Sequence, residues 1–398
     1  MSLNIGLIVF ASKNPSEFKI SEFFYLRVIK MQTGFSDQDK FYMQRALDLA
    51  EMAEGRTSPN PMVGCLIVKD GLIIGEGYHQ KAGTPHAEVH ALTAAGKRAS
   101  GADVYVTLEP CSHFGRTPPC CDALIQAGVK RVFVALVDPN PLVRGKGIQK
   151  MRAAGIEVFT GLLENEAAKL NEPFVKAMKT NLPFVLYKSA STADGKTASC
   201  TGDSRWITND LSRKYVHELR NSYDVIMVGS KTILQDNPQL TCRIAGGRHP
   251  VRLIVDGTLS IPEEARLLSL SEGSTIIATT RAASPKKIDK LKKIRNNIEV
   301  WVYSEERYVP LKTLMQDILE KGYQSVLLEG GGTLAGQMIA EKLVDKVNLF
   351  IAPKIIGQSS FSPISGFCIN SMADAVMIRE MEMKEFAGDI LLSGYLKQ

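Results

Sequence analysis

Two short stretches of the sequence combine the residue types that bind zinc and move protons. The first, HAEVHAL, contains His86 and Glu88, and the second, EPCSHFGRTPPCC, contains Cys111 and Cys120. Zinc favours tetrahedral ligation by His and Cys, and a catalytic zinc uses three protein ligands and keeps one position for water. The residue types and their spacing therefore predict a catalytic zinc site with His86, Cys111 and Cys120 as ligands.

Glu88 lies two residues after His86, which is too close for an easy second ligand but suits a group that moves protons to and from water. His86 and Cys120 each follow a proline. Each is expected at a helix start, whose positive end favours a thiolate. Cys121 is a rival ligand, although the helix start favours Cys120. The alternative is that these are buried thiols and a capping histidine, and the joint occurrence of the motifs argues against it.

The hydrophobic pattern predicts the elements that must position these residues. Ser36 to Asp39 resembles a capping box before a helix, and Asp70-Gly71 predicts a hairpin turn. Further helices are predicted at 86–95, 119–126 and near 147–154, and strands at 103–108, 131–136 and 156–160. Because strands and helices alternate, residues 36–181 are expected to form one α/β domain that ends near Pro173 and Pro183.

A second alternating series covers residues 182–398. Its strands are predicted in PFVLYKSAS, DVIMVGS, VRLIVDG, STIIATT, IEVWVY, SVLLEGGG and KVNLFIAPKIIG. The stretch LLEGGGTLAG ends a strand and opens a helix, so its backbone could approach a phosphate. It is not the G-x-G-x-x-G fingerprint, and a glycine-rich turn alone is a weak signal.

The composition fits two globular domains that handle small anionic molecules. The 398 residues are 44% hydrophobic and 23% charged, with a net charge of +6. No Lys/Arg block marks a nucleic-acid arm, and no apolar run approaches the roughly 18 residues that span a bilayer. The seven cysteines are not spaced as a disulfide framework, so we expect a cytoplasmic protein. Residues 1–35 receive no function, and the absence of basic residues before NIGLIVFASK argues against an export signal.

Several motifs together resemble the bifunctional deaminase–reductase family of riboflavin biosynthesis. The H-x-E and paired cysteines match the zinc deaminases. Eight residues rather than two separate the cysteines, as in the long-loop form of that family. SPNPMVGCLIVKDG, GTPHAEVHAL, VALVDPNPLVRGKG, STADGKTA, TGDSRWIT and VGSKTILQDNPQLTCR extend the resemblance over residues 37–395. It implies an α/β fold with a cytidine-deaminase-like three-layer domain followed by a dihydrofolate-reductase-like domain.

The resemblance implies two successive reactions on one phosphorylated pyrimidine. Zinc-dependent deamination, with Glu88 as the proton shuttle, precedes NADPH-dependent reduction of the ribosyl chain to ribityl. The alternatives are a nucleic-acid base deaminase with a fused RNA-binding domain and a zinc-stabilised module without catalysis. The long cysteine loop argues against the first and Glu88 against the second. Neither nucleic acid nor a membrane is an expected partner, and a homo-oligomer is left open.

Matched position by position, the resemblance implies further contacts in both sites. In the deaminase, substrate contacts are implied for Asn60, His79, His113 and Arg116. In the reductase, cofactor contacts are implied for Ala190, Trp206, Thr232, Asp236, Gly331, Gly332, Thr333, Leu334, Ala335, Gly336 and Gln337. Reductase substrate contacts are implied for Lys188, Ser204, Arg220, Leu240, Arg243 and Glu329. Arg281 is a further candidate for the 2′-phosphate of the cofactor, and a core position is the structural alternative for Trp206.

Overall fold

The computed structural model describes residues 34–114, 118–305 and 307–397, which contain two β-sheets covered by helices. The first sheet and its helices comprise α1 (Asp37–Glu51), β1 (Gly64–Lys69), β2 (Leu72–Tyr78), α2 (Ala87–Ala95), β3 (Asp103–Leu108), α3 (Cys120–Ala127), β4 (Arg131–Leu136), α4 (Lys146–Ala153), β5 (Glu157–Thr160), α5 (Glu164–Leu170) and α6 (Glu172–Thr180). The strand order is β2-β1-β3-β4-β5, with β1 antiparallel to both neighbours and β3, β4 and β5 parallel.

Local sequence signals position the first elements of this sheet. The Ser36 hydroxyl accepts a hydrogen bond from the Asp39 backbone N–H, and the Asp39 carboxylate accepts one from the Ser36 N–H, so the predicted capping box is confirmed. The hairpin predicted at Asp70-Gly71 joins β1 to β2. Both residues have positive φ, 51° and 77°, as a tight two-residue hairpin turn requires.

The first sheet is buried on both faces, which makes a three-layer arrangement. Alternate side chains of β3 show why, because Val104 and Val106 pack with α2, α3 and α4 while Tyr105 packs with α1 and α5 on the opposite face. Pro173 lies in the first turn of α6 and therefore begins a helix, whereas the sequence pattern placed a break there. A proline is tolerated at this position because the first N–H groups of a helix have no intrahelical acceptor.

The second sheet has nine strands in the order β10-β9-β8-β7-β11-β6-β12-β14-β13. Its elements are β6 (Phe184–Thr192), α7 (Asp210–Ser222), β7 (Val225–Gly229), α8 (Ser230–Asp236), β8 (Val251–Val255), β9 (Thr275–Thr280), α9 (Pro285–Ile294), β10 (Ile298–Tyr303), α10 (Leu311–Glu320), β11 (Ser325–Leu328), α11 (Gly332–Ala340), β12 (Lys346–Ala352), β13 (Ile378–Phe386) and β14 (Asp389–Leu396). In this spatial order, all the strands from β10 at the edge to β12 are parallel, so their carboxyl ends lie at the same edge of the sheet.

The hairpin of β13 and β14 was not among the predicted strands. Strand β14 is antiparallel to both β12 and β13 and lies between them. Most of β13 is exposed. The apolar residues of its sequence IREMEMKEF are unevenly spaced, and its register with β14 shifts between Arg379 and Glu382, so no regular alternation runs along the strand.

Within the ranges that the structure describes, none of the helices has the length and apolar character needed to cross a membrane.

Candidate active sites

Three predicted zinc ligands converge where two helices begin. His86 is the residue before α2, Cys120 is the first residue of α3, and Cys111 lies between β3 and α3. Their ligand atoms all lie within 4.8 Å of one another. His86 Nδ1 lies 3.2 Å from Cys120 Sγ and 3.7 Å from Cys111 Sγ. One nitrogen and two sulfurs at this separation fit a zinc ion with a fourth position left for water.

The two thiols of this cluster differ in their ease of ionisation. The hydrogen bond from the Cys120 side chain, and then that with His86, lower the pKa of Cys111 to about 4. The Cys120 backbone N–H also donates to Cys111 Sγ at 3.2 Å. The same shared proton raises the pKa of Cys120. A divalent cation would displace that remaining proton, because metal-bound cysteines are thiolates.

Glu88 lies in the first turn of α2 and is 3% exposed. Burial raises the pKa of its carboxyl to about 7. A carboxyl group with that pKa can both accept and release a proton near neutral pH, which is the property that general acid–base catalysis requires.

Cys121, the rival ligand next to Cys120, is buried with the helix core, and burial raises the pKa of its thiol to about 11.

Asn60 and His79 lie beside the metal cluster. The ring of His79 meets the ring of His86 edge-on, with centroids 5.4 Å apart. His79 Nδ1 lies 3.2 Å from the Pro85 carbonyl, and His79 Nε2 lies 3.2 Å from the Asn60 side-chain nitrogen. Burial lowers the pKa of His79, which favours a neutral ring that donates at Nδ1 and accepts at Nε2. In that tautomer the Asn60 amide oxygen is available to accept from a ligand.

The loop between the two cysteines is described in part. His113 is exposed. Burial raises the pKa of the nearby Asp138 carboxyl, and the charge of His113 offsets a small part of that rise. Arg116 lies outside the described residues, so its predicted contact stays a prediction.

Sequence reasoning missed Glu109, a buried carboxylate two residues before the predicted ligand Cys111. It is 6% exposed, and its carboxylate accepts hydrogen bonds from the backbone N–H groups of Asp138, Gly145, Gly147 and Ile148. Its place directly before Pro110 and Cys111 was the available signal, because an acidic residue after a buried strand needs donors nearby.

A second site lies at the carboxyl ends of the second sheet. A cavity of about 1150 Å³ opens there, beside Gly229 at the end of β7, Val255 at the end of β8 and Glu329 after β11. Ligands of α/β sheets bind at such ends. The cavity brings together all the residues predicted for reductase substrate contacts: Lys188, Ser204, Arg220, Leu240, Arg243 and Glu329.

A buried ion pair organises the substrate side of this cavity. Arg220 donates from Nε and an Nη to the two oxygens of Glu329 at 2.6 and 2.8 Å, with both side chains largely buried. The charges of Arg220 and Lys188 help to hold the pKa of Glu329 below its usual value despite burial. Burial lowers the pKa of Lys188, and Arg220 lowers it further.

His217 is a second residue that the sequence did not reveal. It lines the cavity one turn before Arg220, and its Nε2 accepts a hydrogen bond from Arg243 Nε at 3.2 Å. Burial, followed by the charges of Arg220 and Arg243, lowers its pKa to about 4. The ring is therefore neutral near pH 7, as an acceptor must be.

The glycine-rich turn follows Glu329 directly, lines the same cavity and opens α11. Gly331 has φ +73°, and Gly332 is the first helical residue. A β-carbon on Gly332 would lie 2.5 Å from the Ser362 carbonyl oxygen. Bare backbone at a helix start fits a pyrophosphate. The predicted cofactor contacts that line the cavity are Ala190, Trp206, Thr232, Asp236, Gly331, Gly332, Thr333, Leu334 and Gln337.

Three predicted cofactor contacts are not part of the cavity wall that the described residues form, and they stay predictions. Among the described residues that line the cavity, Ala335 and Gly336 do not appear. Ala335 packs in the core, and a β-carbon on Gly336 would lie 1.8 Å from the Ser365 carbonyl oxygen, so this face of α11 packs against protein. Arg281 also lies off the described cavity wall, where Arg266 and Arg307 are present instead.

Trp206 is not a core residue. Its side chain is 63% exposed and lines the cavity, and the Arg213 guanidinium lies over its ring at 4.5 Å from the centroid. A large aromatic surface at a cavity wall fits a planar cofactor ring. The volume, glycine turn, basic side chains and exposed aromatic ring together fit a phosphorylated dinucleotide.

Both halves of the chain match described protein families. A model of the RibD C-terminal domain matches residues 183–392, and a model of the cytidine and deoxycytidylate deaminase zinc-binding region matches residues 36–136. The chain is 42% identical over 361 residues to riboflavin biosynthesis protein RibD of Bacillus amyloliquefaciens, which covers 90% of this chain and 96% of that protein.

Solved structures agree over the same length. Acinetobacter baumannii RibD, form 1, is 40% identical with a TM-score of 0.82, covering 91% of this chain and 99% of that one. The diaminohydroxyphosphoribosylaminopyrimidine deaminase/5-amino-6-(5-phosphoribosylamino)uracil reductase of Thermotoga maritima is 37% identical with a TM-score of 0.81, covering 90% and 99%. With two matching domains and this similarity, the chain belongs to the RibD family of bifunctional deaminase–reductase enzymes of riboflavin biosynthesis.

Proposed function

We propose that residues 36–181 deaminate 2,5-diamino-6-ribosylamino-4(3H)-pyrimidinone 5′-phosphate and that residues 182–398 reduce the ribosyl chain of the product to ribityl. The observation that carries the proposal is the convergence of His86, Cys111 and Cys120 beside the buried Glu88, in a chain whose second sheet holds a separate dinucleotide-sized cavity. The two relatives with solved structures lend support, because one of them is described by both activities.

In the first domain, His86, Cys111 and Cys120 would hold zinc. When bound, zinc supplies a Lewis-acid centre that makes water a nucleophile near neutral pH. Glu88 takes a proton from the attacking water and delivers it to the leaving amino nitrogen. Burial suits Glu88 to both steps, because a carboxyl group with a pKa of about 7 is present in both protonation states near neutral pH.

The remaining first-domain residues position the pyrimidine. The Asn60 amide oxygen accepts from a ring or amino N–H, since its nitrogen is directed to His79. His113 and Arg116 lie on the loop between the cysteines and contact the ribose phosphate.

In the second domain, the glycine-rich turn, Thr232, Asp236 and Trp206 would hold NADPH, which supplies the hydride for the ribose carbon when bound. Arg243, held by His217, contacts the substrate phosphate. Lys188 and the Arg220–Glu329 pair bind the sugar hydroxyls. Arg266 or Arg307 takes the place that Arg281 was predicted to have near the 2′-phosphate.

The test is one incubation of the purified protein with the diaminopyrimidine phosphate and NADPH. Ammonia release and loss of NADPH absorbance are followed together, with cytidine and tRNA as control substrates. We expect ammonia release without NADPH, and NADPH oxidation only after deamination. Ammonia released from tRNA but not from the small pyrimidine would favour a nucleic-acid deaminase, and no turnover of any substrate would favour a non-catalytic zinc module.

A further inference from the structure

The loop before Asn60 is attached to the other domain at alternate residues. Glu54 accepts from the Ser222 hydroxyl at 2.7 Å, Arg56 donates to the Gly246 carbonyl at 2.7 Å, and Ser58 donates to Asp224 at 2.9 Å. These three partners all belong to the part of the chain that forms the second sheet. Gly55 approaches so closely that a β-carbon there would lie 2.5 Å from the Asn221 carbonyl oxygen.

Asp224 is a rigid partner for this loop. It is 2% exposed, and the oxygen that receives Ser58 also accepts from the Gln324 and Ser325 backbone N–H groups at 3.0 and 3.2 Å and from the Ser325 hydroxyl at 3.0 Å. Arg248 lies 3.4 Å from its other oxygen. Because strands β7 and β11 fix this carboxylate from their own domain, it can serve as a fixed point for Ser58.

The path from that fixed point to the deaminase site is two residues long. Ser58 precedes Pro59 and Asn60, and the Asn60 backbone N–H donates to the Thr57 carbonyl at 2.8 Å. The Asn60 side chain then meets His79 beside the metal cluster. On the far side of Asn60 the loop is tied within its own domain, where Asn171 exchanges two hydrogen bonds with the backbone of Met62.

We infer that Asp224, a residue of the reductase domain, is a positioning residue for the deaminase, acting through Ser58 to hold Asn60 where the pyrimidine binds. The inference rests on the proposed deamination and on Asn60 as a substrate contact. It gives the fusion of the two domains a consequence for substrate binding, because a side chain of the second domain holds the segment that carries Asn60.

Ser58→Ala in the full-length zinc-loaded protein tests the inference. We expect the deamination KM to rise about two- to tenfold, the range for loss of one hydrogen bond. The deamination kcat, the zinc content and the reduction kinetics measured with deaminated substrate should change by less than about twofold. Ser58→Thr retains a hydroxyl donor and should restore a KM near that of the wild type.

Two matched variants separate positioning from simple attachment of the domains. Lys169→Ala breaks an exposed interdomain ion pair with Glu380 and should leave the deamination KM unchanged. In an Asp224→Ala background, which has no acceptor for the Ser58 hydroxyl, Ser58→Ala should have a smaller effect on KM, because the two changes remove the same contact.

An unchanged KM in Ser58→Ala would overturn the inference. So would a lower melting temperature and kcat with an unchanged KM, because that result would make the contact structural only. Absence of deamination in the wild-type protein would instead refute the proposed function, so the two failures are distinguishable.

Discussion

The two sites are built on different scales. The first takes His86, Glu88, Cys111 and Cys120 from 35 consecutive residues, and the ligand atoms of the histidine and the two cysteines lie within 4.8 Å of one another. The second spreads its residues from Lys188 to Ser365 along the wall of a cavity of about 1150 Å³. A metal needs a few donors in a fixed geometry, whereas a dinucleotide and a phosphosugar are held by many weaker contacts. Single changes should therefore be nearly absolute in the first site and graded in the second.

Loss of one zinc ligand should have the largest effect. Cys120→Ser is expected to lose both zinc and deamination, because a serine hydroxyl is a poor zinc ligand at neutral pH. Cys121→Ser is the matched control, since its thiol packs in the helix core. Metal analysis and ammonia release are measured on both proteins. Equal zinc content in the two would contradict the assignment of Cys120, rather than Cys121, as the ligand.

Glu88→Gln should separate the metal from the chemistry. The amide preserves shape but cannot exchange a proton, so we expect deamination to fall by about 10²–10⁴-fold with zinc content unchanged. Reduction of deaminated substrate should be normal, because Glu88 belongs to the other site. Ammonia release at the wild-type rate would assign the proton shuttle to another group.

Gly332→Val should damage the cofactor side of the second site. Its β-carbon would collide with the Ser362 carbonyl, which lies 2.5 Å from that position, so the turn or the 362–365 segment must move. We expect the dissociation constant for NADPH to rise at least about tenfold, equivalent to about 1.4 kcal/mol. Titration of NADPH measures this. Unchanged affinity, or weakened ammonia release instead, would place the turn outside the cofactor site.

His217→Leu should have the smallest effect. It removes the acceptor that holds Arg243, so the reductase KM for the phosphorylated substrate should rise about two- to tenfold, the range for one hydrogen bond. His217→Gln keeps an acceptor oxygen and should recover most of the affinity. Equal KM values in the leucine and glutamine variants would show that Arg243 does not need this support.

The same contrast explains what the sequence could predict. The capping box at Ser36, the hairpin at Asp70 and the zinc cluster depend on residues close together in sequence or on motifs with fixed chemistry, and the structure places them together. The roles of Glu109 and Asp224 could not be predicted. Their partners include backbone N–H groups up to about 100 residues away, which leave no pattern in side-chain type.

Some contacts predicted for the second site are not among the described residues that line its cavity, and the reason is similar. Gly336 follows a cofactor-like turn in sequence, but the helical repeat turns that face toward the Ser365 backbone. Arg281 follows a strand of the sheet, yet the cavity wall there is supplied by Arg266 and Arg307 from other connections. Which of several basic loop residues faces a cavity depends on loop conformation, and the strand pattern does not determine it.

The exposed ring of Trp206 gives the enzyme an optical reporter. The chain contains two tryptophans, and Trp301 lies in β10, where its indole N–H donates to Glu299. Trp206 instead stands in the cavity with a guanidinium over one face. Replacing Trp301 with phenylalanine would leave tryptophan emission that comes from the reductase cavity alone. Cofactor arrival could then be followed by quenching in real time, without a label and without turnover.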